Sequence, residues 1–304
     1  MNALKATVTM TFATVLLAAV LVAPFSAQVA NGAITAYIPF DVDKNDTTGN
    51  LHYDFDNPYV VTHANVVAGA GQPGFGGALA HSGRSANWCG FGTCPPHGMN
   101  KVTGPVGTME FWISPNWAGT AAGGPGVGGS GVFEDITHFG GHSVDATKGV
   151  NVGIYNNNYP NDGGQLFVAI RDTDGANKLL ESNYHGSGHE LGTTKYWEAG
   201  SWHHIAVTWD GSTYTSWMDG DRIQQVAAGT GIDWPNDMWI SGWGNANSVF
   251  NGYIDDLVFR DNVQYDPSQT TYDVPTRVGT FVAPEPATLS MLGIGGLGLL
   301  RRRR

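Results

Sequence analysis

Trp202-His203-His204-Ile205-Ala206-Val207-Thr208-Trp209-Asp210-Gly211, followed by Trp217-Met218-Asp219-Gly220, reads as two hairpin signals in succession. Ile205, Val207 and Trp209 recur at period two, which puts them on one face of a half-buried strand, His203–Trp209. Asp210-Gly211 and Asp219-Gly220 are each expected to form a type I′ turn, which needs φ > 0 at both central residues. The pattern continues in both directions. Upstream, β-branched or aromatic runs at Ala36–Phe40, Thr108–Ile113, Val132–Phe139, Val150–Tyr155 and Leu166–Arg171 alternate with turn residues. Downstream, Tyr214–Met218, Arg222–Val226, Met238–Ser241 and Tyr253–Phe259 do the same. Helix signals are nearly absent between residues 33 and 275, so the predicted class is all-β, an antiparallel sandwich. Ala118–Gly131, almost pure Gly, Ala, Ser and Pro, reads as a mobile loop inside one domain.

Taken in order, further blocks extend the pattern. Tyr37-Ile38-Pro39-Phe40-Asp41 comes first, then Gly76-Gly77-Ala78-Leu79, then Met109-Glu110-Phe111-Trp112-Ile113-Ser114-Pro115. The Trp-His-His block follows, and Phe250-Asn251-Gly252-Tyr253-Ile254-Asp255-Asp256-Leu257 closes the series. This succession resembles the laminin-G-like, concanavalin A-type jelly-roll domains of secreted bacterial proteins. The resemblance covers residues 33–275 and implies two curved antiparallel sheets packed face to face, with the first and last strands adjacent.

The two ends carry addresses. Lys5, an apolar core from Phe12 to Val22 and Pro24 form a secretory signal peptide over residues 1–32, cleaved between Ala27 and Ala33. At the other end, Pro284-Glu285-Pro286 leads into a glycine-interrupted apolar run to Leu300 and then Arg301, Arg302, Arg303 and Arg304. At ~1.5 Å per residue a helix here covers about 20 Å of a roughly 30 Å hydrocarbon core, and the arginines hold its end in the cytoplasm. Residues 284–304 resemble the PEP-CTERM sorting signal, with 276–283 as linker. That implies processing by exosortase, transient residence in the inner membrane as a short transmembrane helix, and an exopolysaccharide-producing bacterial host. The protein is therefore expected in the envelope or extracellular matrix.

Of 15 basic residues, Lys5 and Arg301–Arg304 leave with the signals, as does Glu285 of 26 acidic ones; ten against 25 remain, about −15. Such a surface repels nucleic acid and anionic membrane. Cys89 and Cys94, the only cysteines, fit a disulfide in an oxidising compartment better than a metal site, which His97 alone does not complete.

Candidate sites are then weighed by chemistry. His203 and His204 are consecutive on a strand, so they face opposite ways; no partner acid stands at a recognisable spacing. Retaining glycosidases need two carboxylates about 5–5.5 Å apart, and the exported part has five glutamates (Glu110, Glu134, Glu181, Glu190, Glu198) in no such run. Gly153-Ile154-Tyr155-Asn156 resembles one strand of alginate lyases, without their arginine-bearing strand motif. No catalytic residue is assigned. Asp41, Asp43, Asn45 and Asp46 offer oxygens at the spacing of hard-cation loops, lacking the glycine and the final glutamate of an EF-hand. With Asp255 or Asp256 brought near, they make a structural calcium site, or else they are ordinary turn residues. Trp117, Trp197, Trp234 and Trp243, together with Asn156, Asn157 and Tyr159, are candidate glycan contacts. Trp112, Trp202 and Trp209 read as core. The expected function is non-catalytic: adhesion to exopolysaccharide or another glycan. The alternatives are a purely structural surface protein and a polysaccharide-degrading enzyme.

Overall fold

A computed structural model describes residues 32–43, 45–51, 64–82, 99–118, 133–138, 148–155, 166–181, 197–235, 239–240 and 250–275. Chain contacts divide the molecule into Met1–Asn31 and Gly32–Arg304, and every described residue belongs to the second unit. The first strands are β1 (Ile34–Ile38), β2 (Ala64–Val67), β3 (Ala78–Ser82), β4 (Gly107–Pro115) and β5 (Phe133–His138). Then come β6 (Val150–Tyr155), β7 (Leu166–Arg171), β8 (Asn177–Glu181), β9 (His203–Trp209) and β10 (Thr213–Met218). The last are β11 (Asp221–Ala227), β12 (Trp239–Ile240) and β13 (Asn251–Arg260); one helical turn, α1 (Met99–Val102), precedes β4.

The larger sheet runs β11-β10-β9-β4-β13-β3-β2, with β1 also on β13, and the smaller runs β12-β5-β6-β7-β8. Every pairing is antiparallel, and the first and last strands are adjacent, as the family resemblance implies. Between the sheets lies one core. Met109, Phe111 and Ile113 of β4, with Ile205, Val207 and Trp209 of β9, face Val150, Val152 and Ile154 of β6 and Val168 and Ile170 of β7. A polar tie crosses it, since the Tyr214 hydroxyl donates to the buried Asp172 carboxylate at 2.5 Å.

β9 is not half-buried. Its outward residues His204, Ala206 and Thr208 are as buried as its inward ones. The cover is the segment after β13, residues 261–275. Gln264 N donates to Thr108 Oγ1 at 2.9 Å, Arg222 N to Thr270 O at 2.9 Å, and Tyr272 N to Gly220 O at 2.7 Å. Tyr265 and Tyr272 stack at 3.8 Å between centroids and stand edge-on to Trp217. Beneath them is Glu110, fully buried, bonded by Arg260 Nε at 2.7 Å and by the Tyr265 hydroxyl. His204 reaches the same carboxylate with Nε2 at 3.5 Å, while its Nδ1 bonds the Tyr272 hydroxyl. Burial alone would raise the Glu110 carboxyl; the His204 contact, the Arg260 charge and the Tyr265 hydroxyl outweigh it and hold it at about 2.

The hairpins split the two turn expectations. Asp219 (φ 51) and Gly220 (φ 84) are both left-handed, as type I′ requires. At the other turn only Gly211 (φ 84) is left-handed. Asp210 instead accepts from Ser212 N at 2.7 Å and Thr213 N at 2.6 Å in a three-residue loop. Strands β2, β3 and β8 go beyond the strands expected from sequence.

Glu110→Gln removes one partner of a buried ion pair and should cost about 3–5 kcal/mol in urea unfolding. Because the folded carboxyl titrates below its unfolded value, its contribution is complete above the unfolded pKa and is lost as pH falls through about 2. The variant should therefore show a flatter stability profile than the parent below pH 4.5.

Candidate functional site

β13 pairs with β4 along one edge, but its other edge is shared: Asn251–Ile254 pair with β3, and Leu257–Arg260 with β1. At the changeover the register against β4 slips between Asp255 and Val258, a bulge. Asp256 is left-handed there (φ 48), and so is the fully buried Phe40 (φ 54), which follows β1. Such conformations cost about 1–3 kcal/mol each for non-glycine residues and cluster at functional sites.

Immediately beside these residues are two carboxylates, Asp41 and Asp255. The Gly71–Gly77 loop packs between them. A Cβ on Gly71 would lie 2.6 Å from the Gly77 carbonyl oxygen, 2.6 Å from that of Phe75 and 2.9 Å from Asp255 Oδ2. A Cβ on Gly76 would lie 2.5 Å from Asp41 Oδ1. The loop thus packs so closely against Asp255 and Asp41 that neither Gly71 nor Gly76 has room for a side chain. Asp255 is 1% exposed and accepts Asp256 N at 2.9 Å and, weakly, Gln72 N at 3.3 Å. Burial, then the Asp256 charge and in smaller part Asp41, push its carboxyl up to about 7. All these donors are hard oxygens, the set that calcium takes. Among the described residues no three His, Cys, Asp or Glu side chains converge closely enough to hold a metal ion.

The structure divides the acidic sextet. Asp43 accepts Asn45 N at 2.9 Å and Asn45 Nδ2 at 2.7 Å, a local turn. Asp46 caps the next turn, accepting Tyr37 N at 2.8 Å and the backbone N–H groups of Thr48, Asn50 and Leu51 at 2.9–3.0 Å. Asp256 accepts the Tyr37 hydroxyl at 2.6 Å, tying β13 to β1. Only Asp41 and Asp255 face the glycine loop.

The aromatic candidates are corrected in part. Trp117 and Trp197 are buried, 5.3 Å apart, and Trp197 Nε1 donates to Trp117 O, because both fill the end of the inter-sheet core. Trp234 is partly buried against Trp209 at 5.1 Å. Trp202, expected in the core, lies instead on the outer face of the larger sheet, half-buried. Trp243, Asn156, Asn157, Tyr159, Cys89, Cys94, the signal peptide, the C-terminal helix, Pro284–Pro286 and Arg301–Arg304 lie outside the described residues.

His203 does have a partner acid, contrary to the sequence reading. Its Nδ1 meets Asp219 Oδ2 at 2.7 Å and its Nε2 meets Ser201 Oγ at 2.6 Å. The acid comes from the next hairpin turn, which antiparallel pairing folds back beside the strand. This is the connectivity of a Ser-His-Asp triad. Ser201 Oγ, however, also donates to Glu198 O at 2.5 Å. The neighbouring N–H groups of Gly200 and Ser201 are spent on Pro115 O and Glu198 O. With those donors committed, neither amide is available to stabilise an oxyanion, and the three side chains lock the turn to the hairpin.

Residues 101–263 match the family described as the concanavalin A-like lectin/glucanases superfamily, and residues 282–304 match the PEP-CTERM protein-sorting motif. No curated protein matches the sequence. Among solved structures, the binding domain of Paraclostridial mosquitocidal protein 1 superposes with a TM-score of 0.52 at 17% identity, over 76% of this chain and 49% of that one. The binding domain of botulinum neurotoxin DC, in complex with SialylT, gives 0.50 at 13% identity, over 77% and 48%. Domain 4 of an arabinanase from Geobacillus stearothermophilus gives 0.46 at 16% identity, over 79% and 97%. This chain thus spans about half the length of the toxin binding domains, and these likenesses are of fold alone. With more than half its length matched and both sheets in place, the chain belongs to the concanavalin A-like lectin/glucanases superfamily and carries a PEP-CTERM sorting motif, the mark of an exported, exosortase-processed cell-surface protein.

Proposed function

We propose that this domain is a non-catalytic glycan-binding adhesin of the bacterial envelope or matrix, stiffened by calcium at Asp41 and Asp255. The observation that carries the calcium reading is that Asp41 and Asp255 both pack against the Gly71–Gly77 loop, Asp255 buried and near enough to Asp41 to feel its charge. A cation there would clamp the seam between β1 and β3 and relieve the repulsion that raises Asp255. Glycan binding draws support from the superfamily, which includes lectins, and from the toxin binding domains of the same fold. The buried acid best placed to attract a hydrolytic reading, Glu110, is held ionised by Arg260 and sealed under Tyr265, so it has no proton to give near neutrality. A structural surface protein without a specific ligand is the second reading, favoured by the burial of Trp117 and Trp197.

Retention of the purified protein on its host's own exopolysaccharide, with calcium and then with chelator, tests the reading. Calcium-dependent retention without shortening of the polysaccharide is expected; no retention in either condition would leave the structural reading. In thermal unfolding, calcium at 100-fold its Kd should add about 2.7 kcal/mol, roughly 5–10 °C for a domain of this size. Asp255→Asn should abolish that increment.

The pH dependence has a definite sign. The Asp255 carboxyl is raised when folded, so its contribution without metal is greatest below 3.8 and is lost as pH rises through about 7. Calcium needs the ionised form, so the calcium increment should grow across the same interval; a pH-independent increment would place the ion elsewhere. Intact mass of surface protein from a native host should lack Arg301–Arg304, and a full C-terminus there would indicate a plain membrane anchor.

A further inference from the structure

The segment 261–275 covers the outer face of the larger sheet over β9 and β10 and reaches Trp112 with Val274. Beyond it the face carries a different surface. Trp112 pairs with His204 in the β4–β9 register, which brings Ser114 opposite Trp202, and Tyr253 of β13 pairs with Ser114 on its other side. The row Trp202–Ser114–Tyr253 therefore presents two half-buried aromatic rings flanking a small residue, their centroids 6.4 Å apart and their planes at 44°. The Trp202 ring packs against the buried outer-face cluster of Trp112 and Val258. At the rim Asn116 Nδ2 donates to Asn251 Oδ1 at 3.0 Å, an exposed amide pair.

We propose that this row is the glycan-binding platform of the domain, taking an uncharged sugar ring against Trp202 and Tyr253 with its hydroxyls toward Asn116 and Asn251. The proposal rests on the glycan-binding reading above and gives it an address. A sugar ring has apolar C–H faces and a polar edge. The aromatic pair matches the faces, as recognition of rings by Trp and Tyr requires, and amides match the hydroxyls. Charge decides which sugar. None of Trp202, Ser114, Tyr253, Asn116 and Asn251 carries a charge, and the chain's net charge of −11 opposes an anionic polymer. A neutral hexose or pentose polymer is the ligand class; a uronate polymer is not. The platform is separate from the cation seat. Asp255 pairs with Trp112, two residues along β4 from Ser114, and its buried carboxylate lies against the Gly71 loop.

Titration of the full chain in detergent with neutral oligosaccharides (gluco-, manno-, galacto- and xylo-hexamers), with alginate as the anionic arm, reads binding through tryptophan fluorescence and calorimetry. A neutral oligomer should bind. Trp202→Ala and Tyr253→Ala should each weaken it about tenfold or more, whereas Trp202→Phe should retain most of the affinity. Asn116→Arg, at an exposed position that carries no core contact, should obstruct the rim while leaving thermal stability unchanged, and so covers the case in which an alanine variant fails to fold. Binding that survives Trp202→Phe, Tyr253→Phe and Asn116→Arg alike but is also unmoved by either alanine variant would overturn the platform and leave the glycan-binding reading standing. Preference for alginate would overturn the neutral-sugar assignment. No binding by the parent chain to any arm would overturn both.

Discussion

Strand β13 has more neighbours than a strand has edges. One side is taken by β4 throughout, and the other must serve β3 and then β1. Where one partner ends and the next begins, the ladder cannot stay regular, and the slip at Asp255–Asp256 is the result. A bulge leaves an extra residue whose backbone must turn aside, which accounts for the left-handed Asp256. It also brings two consecutive acids into a buried seam beneath the Gly71–Gly77 loop. Two adjacent carboxylates there repel each other and pay for desolvation together, so one is driven toward its neutral form. The seam can relax by taking up a proton or, on the calcium reading, by taking up a cation.

The outer face of the same sheet follows from a second constraint. A sandwich sheet ordinarily leaves one face to water, yet β9 and β10 are buried on both sides. Covering an outer face demands apolar contacts and satisfied polar groups at once. The 261–275 segment supplies the first with Tyr265, Tyr272 and Val274, and the second by backbone bonds to β4 and to the β10–β11 hairpin. Glu110, His204 and Arg260 are the polar groups trapped beneath. They are tolerable because each meets a partner of opposite charge or a hydroxyl, and removing one would strand the rest.

Much of this was legible in the chain. Val150–Tyr155, Leu166–Arg171 and His203–Trp209 carry period-two or β-branched runs long enough to set their own boundaries, and the structure places β6, β7 and β9 over those spans. Asp219-Gly220 announced its turn because both residues tolerate φ > 0. What stayed hidden was non-local. Ala64–Val67 is only four residues long and Ala78–Ser82 holds no β-branched residue; their pairing with each other, and of Ala78–Ser82 with β13, makes them strands. The double burial of β9 depends on a segment more than fifty residues later, as does the tyrosine clamp on Glu110. The partner of His203 lies at Asp219, across a hairpin, at a spacing that no linear motif encodes. In the acidic stretch all four side chains offer an oxygen, three of them carboxylates and one an amide. Only the backbone donors around Asp46 and the turn at Asp43 show which of them are already spent.

The character of the calcium seat proposed at Asp41 and Asp255 bears on where the domain would work. Two carboxylates and a few carbonyls make a cation site of low charge, and affinity for calcium falls with the number of charged ligands. A proton competes for Asp255 up to about pH 7, which weakens it further near neutrality. A site of this kind falls at the weak end of the calcium range, about 10⁻⁴–10⁻³ M, the range of extracellular modules. At the submicromolar calcium that sensor sites answer it would stay empty, and the seam would keep its proton or its repulsion. The chain carries an export motif, so its jelly roll meets the outside of the cell, where a weak site can fill. On the proposed calcium reading, the β1–β3 seam would tighten once the domain has crossed the membrane.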